Sequence, residues 1–141
     1  METKPRHLHI FISSFATKAD ALGFSQEQWE PEPGENVSEE EYKAWEDRNP
    51  IWAMEAELGC GYLDSDMIET IWGTDGKGLD INWTYLTSLI GPECVEQCKT
   101  LASSVSNTLI IIDETALGGF DFVFHSTPTM NYCGSFRVRG S

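Results

Sequence analysis

Two aspartates separated by one residue, Asp64 and Asp66, form the pair in this sequence best suited to chemistry. Carboxylates at this spacing can share a hard cation such as Mg²⁺, which would support a metal-dependent hydrolase. Acidic side chains are also favoured in the first turn of a helix, where the helix dipole stabilises them. No P-loop accompanies the pair, and neither lysine nor histidine lies nearby to complete a phosphoryl-transfer site. We expect a helix cap here, with the hydrolase as the alternative.

Cysteines and histidines are the other residues able to bind a metal or act in catalysis. Cys94 and Cys98 lie four residues apart and so share one face of a helix. A structural zinc site usually pairs such a motif with a second one, whereas the remaining cysteines and histidines here are scattered. We therefore expect both thiols to pack in the core. His125 and Cys133 could form a base and a nucleophile, but no third residue that would orient the base is identifiable.

No motif of a known catalytic machinery accompanies these residues. The sequence has no G-x-S-x-G nucleophile elbow, no H-E-x-x-H zinc motif and no G-x-G-x-x-G nucleotide loop. We therefore expect a protein that acts by binding rather than as an enzyme, and we assign it no catalytic residue, no cofactor and no metal.

The charge of the chain is strongly acidic and concentrated in its first half. Its 141 residues include 9 lysines and arginines and 23 aspartates and glutamates, which gives a formal net charge of −14. Residues 27–69 hold fourteen acids and two bases, and so carry −12 of this charge. Because nucleic acids and anionic membranes repel a polyanion, we expect neither as a partner. The charge favours a basic protein instead.

Aromatic residues are interspersed with the acids of this segment. One interpretation of an acidic run is a solvated face, but aromatic anchors surrounded by charge are typical of protein-binding surfaces. We therefore predict a partner-binding surface in which two tryptophans are anchors. The predicted residues of this surface are Glu39, Glu40, Trp45, Glu46, Asp47, Trp52, Asp64, Asp66 and Glu69.

Hydrophobic patterning predicts the elements that position these residues. Residues 8–15 (LHIFISSF) are apolar on both faces, which predicts a central strand whose polar start holds His7 and His9. Ser38 and Glu41 form a capping box, which predicts a helix over residues 39–48. Further strands are predicted at residues 108–112, 120–125 and 130–138, and further helices at residues 18–22, 67–72, 79–90 and 92–104.

Helices therefore occupy the middle of the chain, and three predicted strands follow in succession at its end. This order predicts one α+β domain over residues 1–141, with a mainly antiparallel sheet of four to five strands and helices packed on one face. No apolar run approaches the about 20 residues that span a bilayer, and residues 1–14 lack the apolar core of a signal peptide. We expect a cytoplasmic protein with reduced cysteines.

Four short segments stand in a characteristic order along the chain. They are LHIFISSF at residues 8–15, LDSDMIE at 63–69, NTLIII at 107–112 and YCGSF at 132–136. Together they resemble immunity protein family 22 of bacterial polymorphic-toxin systems. In that family an apolar strand leads to an acidic D-x-D-F-I-E element, and an N-T-hydrophobic strand and a terminal G-x-F strand follow. Met67 stands where the family usually has phenylalanine.

The resemblance implies a cytoplasmic antitoxin that binds and blocks a cognate toxin domain without catalysis of its own. Toxins of the family are often nucleases, and a basic nuclease would be matched by an acidic inhibitor. The resemblance assigns no contact residues, so the acidic surface above is predicted from charge alone. An acidic adaptor or scaffold protein is the alternative within the binding class, and it would differ only in its partner.

Overall fold

The sheet consists of four strands in the computed structural model, which describes residues 6–74 and 79–140. The strands are β1 (His7–Ser13), β2 (Ile68–Trp72), β3 (Thr108–Asp113) and β4 (Met130–Arg137). Their order in the sheet is β2-β3-β1-β4, and every neighbouring pair is antiparallel. The predicted α+β class and antiparallel sheet are therefore confirmed.

The two central strands, β1 and β3, contain the most apolar sequences. All six residues of β3 and six of the seven residues of β1 are buried. Alternate residues of a strand point to opposite faces of the sheet, so a strand that is apolar on both faces must be covered on both. This confirms the central position predicted for residues 8–15.

The helices cover both faces of the sheet, so the prediction of helices on one face was wrong. On the first face Phe11 packs with Phe24 and Met54; on the second face Ile10 packs with Leu86 and Val95. We call these the first and second core layers. The helices are α1 (Lys18–Ser25), α2 (Glu39–Arg48), α3 (Ala53–Leu58), α4 (Trp83–Ile90) and α5 (Pro92–Lys99). None in the described part of the chain is long and apolar enough to cross a bilayer.

A helix is predicted over residues 67–72, but Met67 ends a 3-10 helix at Ser65–Met67 and residues 68–72 form strand β2. Ile68 faces the first core layer, whereas Ile71 packs against the second. β-Branched residues such as these suit a pleated surface. Pairing with β3 also satisfies the strand's backbone groups, and it is a contact between distant parts of the chain that local patterning does not reveal.

Residues 120–125, predicted as a strand, lie outside the sheet. Buried and exposed side chains do alternate in this segment as they would in a strand, because Phe124 is buried while Val123 is 84% exposed. The segment follows Gly118 and Gly119, both with positive φ, which turn the chain after a 3-10 helix at Glu114–Leu117. It therefore covers the first core layer as an extended loop.

Candidate protein-binding surface

Residues 28–51 form an arm that leaves the first core layer and returns to it. At the base of the arm the backbones of Gln28 and Ile51 pair, with N–H···O distances of 2.8 and 2.7 Å in the two directions. The next residue, Trp52, is buried, and its indole N–H donates to the carbonyl of Ser25 at 3.0 Å. We call residues 28–51 the acidic arm.

Helix α2, the only helix within the acidic arm, buries none of its ten residues. Seven of the ten are charged, so the helix has too little apolar surface to pack on the sheet. Its start is fixed by Ser38, whose hydroxyl accepts the N–H of Glu41 at 3.1 Å, as the capping box predicted. The helix is therefore presented to solvent rather than used in the core.

The other limb of the acidic arm holds α2 in place. The indole N–H of Trp45 donates to the carbonyl of Glu30 at 3.1 Å, and Arg48 pairs with the Glu30 carboxylate at 3.0 Å. The side chain of Asn49 accepts the N–H of Glu30 at 2.8 Å. The rings of Trp29 and Trp45 lie 6.0 Å apart. These contacts order the arm without help from the sheet.

A groove of about 740 Å³ runs between α2 and the preceding loop of the arm. The Tyr42 hydroxyl donates to Glu32 at 2.9 Å, and this bond, with the charge of Glu32, raises the pKa of Tyr42. Carboxylates beside an aromatic ring suit a cationic side chain. The residues that line the groove are Glu32, Pro33, Gly34, Glu35, Val37, Ser38, Glu39, Tyr42, Lys43 and Glu46.

The structure brings some of the predicted surface residues together in the acidic arm. Glu39, Glu40, Glu46 and Asp47 are all exposed on α2. The arm as a whole has eight acids and two bases, a net charge of −6. Trp45 is half-buried and holds the two limbs of the arm together, as described above.

Trp52, predicted as an anchor for the partner, is not available for that role. It is only 7% exposed and belongs to the first core layer. The sequence around Trp52 is as acidic as that around Trp45. The difference arises because Trp52 lies just inside the base of the arm, where α1 and α3 enclose it.

Asp64 and Asp66 lie just before β2 and Glu69 lies within it, so none of the three belongs to the acidic arm. The Asp64 carboxylate accepts the N–H of Asp66 at 3.0 Å and so caps the 3-10 helix. Glu69 accepts the hydroxyl of Tyr85 at 2.8 Å, which raises the pKa of Tyr85 to about 12. Across residues 6–74 and 79–140 no group of three or more potential metal ligands is present. The predicted surface is therefore divided between two places.

The cysteines pack as predicted, and the nucleophile–base pair does not form. Cys98 is buried in the second core layer, where Cys133 packs against the same layer; the neighbouring Cys98 thiol and burial raise the pKa of Cys133. The ring nitrogens of His125 lie 3.0 Å from the carbonyl of Ser126 and 3.2 Å from that of Leu58. His125 thus sits with the loop over the opposite layer.

An exposed aromatic pair, Tyr62 and Phe120, was missed by the sequence analysis. Phe120 belongs to the strand predicted over residues 120–125, but it is 64% exposed and its ring lies 5.6 Å from that of Tyr62. The two glycines before Phe120 were the available signal, because they turn the chain outward. No local pattern could have joined two rings from such distant parts of the chain.

Comparisons with known proteins gave no match. The chain matches no protein-family model, no curated protein and no solved structure.

Proposed function

We propose that this chain is an immunity protein, which binds a cognate bacterial toxin domain through the acidic arm and neutralises it. The partner is a basic protein, and a nuclease is the kind of toxin that fits best. The observation that carries the proposal is helix α2, which buries none of its residues and yet is held in a defined position.

The ordering of the arm supports a binding role. An isolated ten-residue helix is marginal in water, and α2 gains no stability from core packing. Capping by Ser38 and the contacts of Glu30 with Trp45 and Arg48 nevertheless fix its orientation. A surface that is already ordered loses less entropy when it binds, which favours affinity.

The charge of the arm indicates the kind of partner. A nuclease binds a polyanion and therefore presents a basic surface, which the net charge of −6 on the arm complements. Electrostatic steering can raise association rates to about 10⁸–10⁹ M⁻¹s⁻¹ at low salt. Rapid capture protects a cell that makes its own toxin. In the complex the arm's carboxylates would occupy the surface that otherwise holds phosphates.

A protection assay tests the function directly. Cells would express this chain together with the toxin domain encoded immediately upstream of its gene, and survivors would be counted against an empty vector. We expect survival, and a 1:1 complex on a sizing column. Cell death despite soluble expression of the chain would contradict the proposal for this toxin. Survival also separates an immunity protein from an acidic adaptor, which would bind without protecting.

Charge reversal tests the role of the arm. Replacing Glu40, Glu46 and Asp47 by lysine changes the formal net charge from −14 to −8. We expect the association rate with the toxin domain to fall about tenfold or more at low salt, and its salt dependence to weaken. Stopped-flow fluorescence at several ionic strengths would measure both.

A matched control separates the position of the charge from its amount. The control residues lie at the second core layer, on the other side of the sheet from the arm. Asp80 precedes α4, Glu93 and Glu96 lie on α5, and all three are exposed. Their replacement by lysine produces the same net charge of −8. We expect the control to slow association by about twofold at most, because only net charge is altered. Equal slowing by both variants would show that the arm is not the interface.

A further inference from the structure

Tyr62 and Phe120 form a pair of adjoining aromatic rings that are exposed to solvent. The two side chains are 47% and 64% exposed, and their ring centroids lie 5.6 Å apart. Exposed single apolar residues are common, but adjoining exposed aromatic rings mark interaction sites more often than plain surface. We call Tyr62, Phe120 and the pocket beside them the aromatic patch.

Backbone contacts position the two rings of the aromatic patch. Gly118 has φ +62°, and a Cβ atom there would lie 2.7 Å from Cε1 of Tyr62, so the tyrosine ring rests directly on the glycine. The N–H groups of Gly118 and Phe120 donate to the carbonyls of Thr115 and Leu117, both at 3.0 Å. The Tyr62 ring is therefore held against Gly118, and the backbone of Phe120 is held by its turn, which reduces the entropic cost of binding.

The pocket beside Phe120 is lined by both apolar and acidic side chains. It has a volume of about 240 Å³; Leu117 and Phe122 contribute apolar surface, while Glu114 and Asp121 contribute carboxylates. Long basic side chains bury an aliphatic stem while the charged head remains near acids or water. The pocket therefore suits a lysine or arginine that projects from a basic protein.

The aromatic patch and the acidic arm both adjoin the first core layer, since Leu117 of the patch and Trp52 at the base of the arm belong to it, and α3 connects them along the chain. The arm ends at Ile51, helix α3 spans Ala53–Leu58, and Tyr62 follows four residues later. Six helical residues are about 9 Å long. A standard interface covers about 800 Å² of each partner, which is more than two aromatic side chains supply.

We propose that the aromatic patch is the apolar centre of the interface with the basic toxin domain, and that the acidic arm steers the same partner onto it. This inference rests on the proposed function, because it assumes that partner. Interfaces of this kind combine a central cluster of aromatic anchors with a charged rim. A second copy of this chain is disfavoured as the occupant, because each copy carries a charge of −14.

Replacement of Phe120 by alanine tests the proposal. The side chain is mostly exposed, so the variant should fold normally. We expect the Kd for the purified toxin domain to rise about tenfold or more, through faster dissociation, as for a truncated anchor. The association rate and its salt dependence should hardly change. Surface plasmon resonance with immobilised toxin domain would separate the two rates.

Val105→Ala is the matched control, because Val105 is 66% exposed and lies after α5, beside the second core layer. We expect its Kd to stay within about twofold of the wild type. If Phe120→Ala also binds like the wild type while the arm variant associates slowly, the aromatic patch is not part of the interface but the proposed function stands. If the wild-type chain does not bind, both proposals fail.

Sedimentation velocity on the chain alone tests self-association at the patch. We expect a monomer at micromolar concentration for the wild type and for Phe120→Ala. A wild-type dimer that Phe120→Ala converts to a monomer would overturn the proposal, since the patch would then be covered by a second copy.

Discussion

All six residues of strand β3 are buried, whereas none of the ten residues of helix α2 is. The strand (TLIIID) joins two core layers, and the helix (EEEYKAWEDR) projects seven charges into solvent. Burial of apolar surface is the main stabilising contribution to folding. The sheet therefore carries the stability of this molecule, while the acidic arm carries charge. Substitutions in the two regions should affect different measurements.

The largest expected effect on stability comes from the centre of the sheet. Phe11 is fully buried in β1 and contacts the rings of Phe124 and Tyr132. Phe11→Ala should lower the free energy of unfolding by about 3–5 kcal/mol, because it leaves a cavity. Urea denaturation would measure the loss. Tyr42→Ala on α2 should cost less than about 0.5 kcal/mol; a similar loss in both variants would contradict the comparison.

Two tryptophans sharpen the comparison, because both donate an indole N–H to a backbone carbonyl. Trp52 donates to Ser25 in the core, and Trp45 donates to Glu30 in the arm. Trp52→Phe should lower the free energy of unfolding by about 1–3 kcal/mol, since it leaves a buried carbonyl without its donor. Trp45→Phe should cost less than about 1 kcal/mol. Equal costs in thermal or urea unfolding would show that the arm is part of the cooperative core.

His9 should make the sheet, and not the arm, sensitive to mild acid. Its ring is buried with Nδ1 2.8 Å from the Tyr132 hydroxyl, and Nε2 has no hydrogen-bond partner among the described residues, with Glu114 3.9 Å away. Burial lowers the pKa of His9, and the charge of Glu114 opposes this only in part. The imidazole of His9 therefore binds a proton more tightly in the unfolded chain than in the folded chain.

Stability should consequently fall as the pH drops below about 6.5, the ordinary pKa of histidine. His9→Gln should remove this loss between about pH 7 and 5.5. Glu57 and Asp113 also have lowered pKa values, because hydrogen bonds to their carboxylates outweigh burial, but the stability they add is lost only at more acid pH. Urea titrations of the wild type and of His9→Gln at several pH values would measure the difference. If the free energy of unfolding of His9→Gln falls with pH as steeply as that of the wild type, His9 is not the cause of this pH dependence.

The smallest expected effect is local to the arm. Ser38→Ala removes the cap of α2, which should destabilise that helix by about 1 kcal/mol. Because α2 makes no core contacts, the free energy of global unfolding should change by less than about 0.5 kcal/mol. Hydrogen exchange of residues 41–46 should accelerate about fivefold. If the free energy of global unfolding falls by as much as the free energy of local opening at residues 41–46, the arm and the sheet unfold together.

Several features follow from local sequence alone. The apolar runs of β1 and β3 made them central strands, and Pro92 suited the first turn of α5, where a missing backbone N–H costs nothing. The capping box at Ser38 placed the start of α2. The acidity of the arm is a property of composition. In each case the cause lies within a few neighbouring residues.

Other features depend on contacts between distant segments. Residues 68–72 form a strand because β3 offers an edge for pairing, and Trp52 is buried because α1 encloses it. Tyr62 and Phe120 met because a glycine turn brought one loop onto another. From local sequence alone, residues 68–72 could form a helix or a strand, and Trp52 could be a binding anchor or a core residue. The free energy of tertiary packing selected between them, and no short stretch of sequence contains that information.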